Sequence, residues 1–140
     1  MSENLDLVKS VYAEWERGDF SSADWADPEI DFVMVGGLSE GRWRGVAEMG
    51  EAWAAMLLAW EHLRAVAEEF RELDRERVLV FLTNEGRGKG SGIDVGEIST
   101  KAANLFRIRD GKVTGLTLYW DRDRAITDLG LSRETETRGS

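Results

Sequence analysis

The chain has 140 residues, no cysteine and a formal net charge of −9, values that admit one domain, 1–140, able to bury a core of its own. The missing cysteine excludes disulfides, thiolate metal sites and cysteine nucleophiles. The acidic balance argues against nucleic acid and anionic membranes as partners, and no stretch reaches the roughly 20 apolar residues of a membrane span. The opening MSENLDLVKS lacks a basic run followed by an apolar one, so a soluble cytoplasmic chain is expected.

In chain order, Ser2 can cap a first helix whose apolar Leu5, Val8, Tyr12 and Trp15 form one stripe, and Gly18 supplies its stop. Ser21 with Asp24 has the form of a capping box for a short second helix ended by Pro28. Ile30 to Val35 reads as a strand, with Gly36-Gly37 as the turn out of it. A further helix begins near Val46, its stripe being Val46, Met49, Trp53, Met56, Leu57 and Trp60. The segment from His62 to Leu73 keeps helical spacing and is rich in Ala, Glu and Arg, so local evidence alone reads helix. Val78 to Thr83 is an apolar strand running into GRGKGSG, read as a mobile rim loop whose Arg87 and Lys89 could meet an anionic group. Val95 to Ile108 is another long strand.

The rest is organised around a hairpin, Ala102 to Ile108 and Lys112 to Trp120, turned over Asp110-Gly111 and closed by a short helix capped by Asp121 or Asp123. A two-residue turn places Asn104 with Thr117 and Tyr119. A three-residue turn, with Gly111 as a left-handed bulge, places Asn104 and Phe106 with Leu116, Leu118 and Trp120. The second collects the apolar side chains on one face and is preferred.

Five short motifs then fall in a telling order: Ala13-Glu14-Trp15 with Arg17-Gly18-Asp19-Phe20, Asp27-Pro28-Glu29-Ile30, Trp43-Arg44-Gly45, Arg109-Asp110-Gly111-Lys112-Val113 and Tyr119-Trp120-Asp121. With these the chain resembles the nuclear transport factor 2-like superfamily, and within it the SnoaL-like branch with its relatives of ketosteroid isomerase. The resemblance implies an α+β cone: a curved antiparallel sheet packed on three N-terminal helices, with a short C-terminal helix. It also implies that His62 to Leu73 is a strand, against local propensity. In ketosteroid isomerase an aspartate base acts with a tyrosine and a protonated carboxylic acid. Carried onto this chain, the base falls at or beside Val33, the acid on Asn104 and the tyrosine near Val11 or Tyr12. That proton shuttle is therefore absent, though Asn104 could orient a ligand carbonyl.

The expected pocket is lined by Tyr12, Trp15, Val33, Trp53, Met56 and Trp60, over a floor of Asn104, Phe106, Leu116, Leu118 and Trp120. Amphipathic rings around a cavity suit a flat apolar ligand, with plain core filling as the competing explanation. Asp121 at the pocket edge and His62, the only histidine, are the candidate catalytic groups. Gly37-Leu38-Ser39-Glu40-Gly41 matches a nucleophile elbow only by chance, because no helix follows the serine directly. No metal site or cofactor is expected. The leading function is binding of a small apolar molecule. The alternatives are a cofactor-free isomerase, cyclase or hydrolase using general acid–base catalysis, or a protein-interaction module. A homodimer is expected through the outer face of the sheet, where Leu105, Thr117 and Tyr119 would otherwise stay wet.

Overall fold

The first apolar stripe folds as α1 (Glu3–Trp15), which buries Val8, Val11, Tyr12 and Trp15. The structure is a computed structural model that describes residues 3–17, 24–36, 40–58, 60–89 and 94–130. Ser2, Gly18 and Ser21 lie outside the described residues, and so does Ser39 of the elbow-like loop. Asp24 and Trp25 form a turn, and β1 (Ala26–Val35) starts directly after it. Pro28 thus sits inside a strand and does not end a helix, leaving two described helices ahead of the long strands. The pairing of β1 jumps from Ala26 to Asp31, so the missing Pro28 N–H breaks no ladder bond.

Trp43 lies on a short strand, β2 (Gly41–Arg44), and its ring meets Phe32 at 5.8 Å. Gly45 turns the chain at φ +89° into α2 (Val46–Leu58). In the first turn of α2 the Glu48 carboxylate accepts the Arg44 N–H. Met49, Ala52, Trp53 and Met56 form its buried stripe. None of the described helices is long and apolar enough to cross a membrane.

The ambiguous segment is extended, as the resemblance implies: β3 (Trp60–Glu72) pairs along its length with β4 (Arg77–Lys89). A bulge between Ala67 and Glu69 moves the inward set from Ala65 and Ala67 to Phe70, a step of three that mimics a helical stripe. The carboxylate of Glu16, just past α1, accepts the Ala67 N–H beside that bulge, and Arg64 donates to the Glu16 carbonyl. Gly86 to Lys89, expected in the rim loop, belong to β4, and residues 90–93 lie outside the described ones.

β5 (Asp94–Arg109) and β6 (Lys112–Tyr119) complete a six-stranded sheet of order β2-β1-β6-β5-β4-β3. All pairings are antiparallel except β1 with β6, which makes the sheet mixed. Five register shifts, with the extra residues on β1, β3, β5 and β6, bend it around α1 and α2. The hairpin turn holds only Asp110 (φ 53°) and Gly111 (φ 76°), since Arg109 pairs with Lys112. The extra residue sits instead at Thr114, where the register shifts, and beyond it Asn104 faces Leu118 and Phe106 faces Leu116. The preferred faces are therefore correct and the geometry that produces them is different.

On the convex side lies a second cluster, built from Leu79, Phe81, Ala103, Leu105 and Tyr119. The last helix, α3 (Arg122–Asp128), lays Ala125 and Ile126 on it, and the Arg71 and Arg122 guanidiniums stack on Phe81. Leu105 and Tyr119 are 4% and 7% exposed within the single chain. The wet apolar face on which the dimer expectation rested does not exist at these two residues.

Candidate functional site

Alternation along the central strands decides which side chains enter the concave face. β4 turns Val78, Val80, Leu82 and Asn84 inward, β5 turns Ala102, Asn104 and Phe106 inward, and Leu116, Leu118 and Trp120 follow from β6. Tyr12 and Trp15 descend on them from α1, and Trp53 and Met56 from α2.

Most of this space is filled by rings. Trp15 stands 4.9 Å from Tyr12, 5.1 Å from Trp53 and 6.2 Å from Phe106, centroid to centroid, while Phe32 meets Trp53 at 5.4 Å. Phe106 and Leu116 are fully buried below them. What stays open is a cavity of about 20 Å³, room for about one water. Trp15, Trp53, Trp120 and Met56 wall it, together with Leu118, Tyr119 and the small Ala65. Its polar contributions come from two amides, Asn84 and Asn104.

The Asn104 amide is fixed from behind: its Nδ2 donates to the Tyr12 hydroxyl at 2.6 Å, with both side chains buried. Burial holds the Tyr12 hydroxyl protonated far above the usual phenol range, while the Asn104 hydrogen bond pulls the other way. Tyr12 is therefore a neutral partner and cannot act as a base. Tyr119 is also raised, by burial first and then by Asp128. Among the described residues no carboxylate, histidine, lysine or arginine borders the cavity.

Of the expected lining, Trp15, Trp53, Met56, Asn104, Leu118 and Trp120 come together. Tyr12 stands directly behind Asn104, and Phe106 and Leu116 lie deeper in the core. Val33 is half-buried on the opposite face of β1 from Ile30, Phe32 and Met34. The side chains of Trp60 and His62 lie outside the described ones. Asp121 is the exposed N-cap of α3, its carboxylate accepting the Asp123 N–H at 3.0 Å, and it does not border the cavity. Asn84 and Ala65 were not anticipated, although extending the Val78, Val80, Leu82 alternation by one step reaches Asn84. No group of three or more acidic or histidine side chains that could hold a metal gathers among the described residues.

Comparison with known proteins agrees with this fold. The family profile described as SnoaL-like domain matches residues 8–116. Among solved structures, TerC co-crystallized with polyporic acid is 24% identical over 91% of this chain and 98% of that one, with a TM-score of 0.72. An NTF2-like protein of unknown function from Burkholderia pseudomallei is 19% identical over 91% of this chain and 97% of that one, with a TM-score of 0.75. A putative SnoaL-like polyketide cyclase from Jannaschia sp. CCS1 is 18% identical over 83% of each chain, with a TM-score of 0.68. No curated protein sequence matches the chain significantly. The profile covers well over half of the residues, and the chain belongs to the SnoaL-like domain family.

Proposed function

We propose that this protein binds a small, flat, largely apolar molecule between Trp15, Trp53 and Trp120, and that Asn104 orients it through a hydrogen bond. The observation that carries this reading is the buried Tyr12–Asn104 bond, which fixes a neutral amide at the base of an aromatic cavity. A buried amide placed so is costly unless its remaining hydrogen-bonding capacity is used, by water or by a ligand. The co-crystallization of the similarly folded TerC with polyporic acid supports the small-molecule reading. The resting cavity of about 20 Å³ is too small for a ring system, so binding displaces side chains. Trp120, only partly buried, is the wall with room to move.

General acid–base chemistry would need a titratable group at the cavity. Tyr119, the one titratable residue bordering it among those described, packs its side chain in the convex cluster and is held above its ordinary range. The interaction-module alternative needs an exposed apolar sheet, whereas Leu79, Phe81, Leu105 and Tyr119 are all buried. These observations favour the binding reading.

The test is a titration with flat apolar ligands followed by tryptophan fluorescence. Trp120→Ala is expected to weaken binding by at least ~1 kcal/mol through lost apolar contact. Asn104→Leu is expected to weaken carbonyl-bearing ligands while sparing their hydrocarbon counterparts. Unchanged affinities in both variants would place binding elsewhere on the molecule.

A further inference from the structure

Asn84 is 9% exposed, borders the cavity and makes no side-chain hydrogen bond among the described residues. With no protein partner for its side chain, this nearly buried amide can bond only to water or to a ligand in the cavity, and an apolar side chain of similar volume would lack that capacity. Its position relative to Asn104 follows from the ladder. Asn104 pairs with Val80, and Asn84 lies four residues further along β4, so about 13 Å of strand separates their rungs. The concave curvature tilts the two amides toward the same cavity, and Ala65, paired with Asn84, keeps that end open.

We infer that the site recognises an uncharged ligand bearing hydrogen-bonding oxygens at two separated points, one taken by Asn104 and the other by Asn84. This rests on the binding reading above and narrows its ligand class. Each amide both donates and accepts, so carbonyl and hydroxyl oxygens are equally suitable. A carboxylate or ammonium finds no counter-charge in the described lining and would lose its hydration without compensation. Asn84 is thus a specificity-determining residue, set apart from the Tyr12-backed anchor at Asn104.

Four bicyclic probes of nearly equal size test it, with affinities read by tryptophan fluorescence and calorimetry: tetralin, 1-tetralone, 4-hydroxy-1-tetralone and 1-naphthoate. Affinity is expected to rise about fivefold with each oxygen, and 1-naphthoate is expected to bind more weakly than 1-tetralone. Asn84→Leu should bring 4-hydroxy-1-tetralone down to the level of 1-tetralone, closing the gap between those two probes. Asn84→Ala repeats that measurement should leucine overfill the site. An unchanged ranking in both Asn84 variants, or 1-naphthoate binding as tightly as 4-hydroxy-1-tetralone, overturns the two-point inference. Tetralin binding as tightly as 4-hydroxy-1-tetralone would also overturn it while leaving the apolar pocket standing. Binding by none of the four would remove both.

Discussion

Tyr12 and Asn104 are 92 positions apart in sequence and 2.6 Å apart at the base of the cavity. Removing the phenol oxygen leaves the Asn104 Nδ2 without its partner in a buried setting. Tyr12→Phe is expected to lower stability by about 1–3 kcal/mol, read as a lower urea midpoint with an unchanged slope. Tyr12→Phe combined with Asn104→Leu should recover part of that loss, because no orphaned amide then remains. A full additive loss would mean that the bond contributes nothing as a pair. Asn104 was legible in the sequence because it interrupts an apolar alternation that ends in Leu118 and Trp120 across the hairpin. Val33 was misplaced because the ketosteroid isomerase correspondence was followed there, whereas the alternation of β1 turns Ile30, Phe32 and Met34 inward. Asn84 escaped notice because the glycine-rich run after it read as loop and ended the strand at Thr83, whereas β4 continues to Lys89.

Long-range pairing, more than propensity, made the elements hard to read. The β3 segment is rich in helix formers, and its bulge spaces the inward residues as a helix would, so nothing local opposed the helical reading. Only the order of motifs along the whole chain implied a strand. The hairpin shows the converse: Asp110-Gly111 signalled a turn, but the bulge at Thr114 left no comparable mark. The bulged stretch of β3 also carries a junction between elements. Glu68 accepts from Thr83 of β4, Lys101 of β5 and Arg122 of α3. These bonds, Lys101 first and then Arg122, lower its pKa from 4.5 to about 2. Because the folded value is depressed, the stabilisation is fully present above pH 4.5 and is lost as the pH falls through 2. The carboxylate is 37% exposed, so solvent screening reduces the contribution to the order of 1 kcal/mol. Glu68→Gln is expected to flatten the acid limb of stability between those two pH values and to leave the neutral plateau lower by a similar amount. Urea titrations at pH 3 and pH 7 measure the difference. An acid limb as steep in the variant as in the parent would assign the loss to other carboxylates.

At the scale of the whole molecule, the chain covers both faces of its own sheet. α1 and α2 fill the concave side with the Tyr12, Trp15 and Trp53 rings, set against Phe32, Phe70 and Phe106 of the strands, and α3 closes the convex cluster around Phe81. The sequence showed that Tyr119 lies on the face away from the helices of the concave side, but not that the seven residues of α3 fold back onto that face. Arg122 holds them there: beyond Glu68, it donates to the Leu82 and Ala102 carbonyls. This changes what Tyr119 is expected to do. On an open sheet face it would hold two chains together, and Tyr119→Ala would halve the sedimenting mass. At 7% exposure within one chain it is a core residue instead, and truncating a buried aromatic costs about 3–5 kcal/mol, less where neighbours collapse into the space. Tyr119→Ala is therefore expected to lower the unfolding midpoint strongly and to leave the sedimentation coefficient of the folded protein unchanged. A variant that keeps its stability but sediments at half the parent mass would restore the convex face as the surface of association.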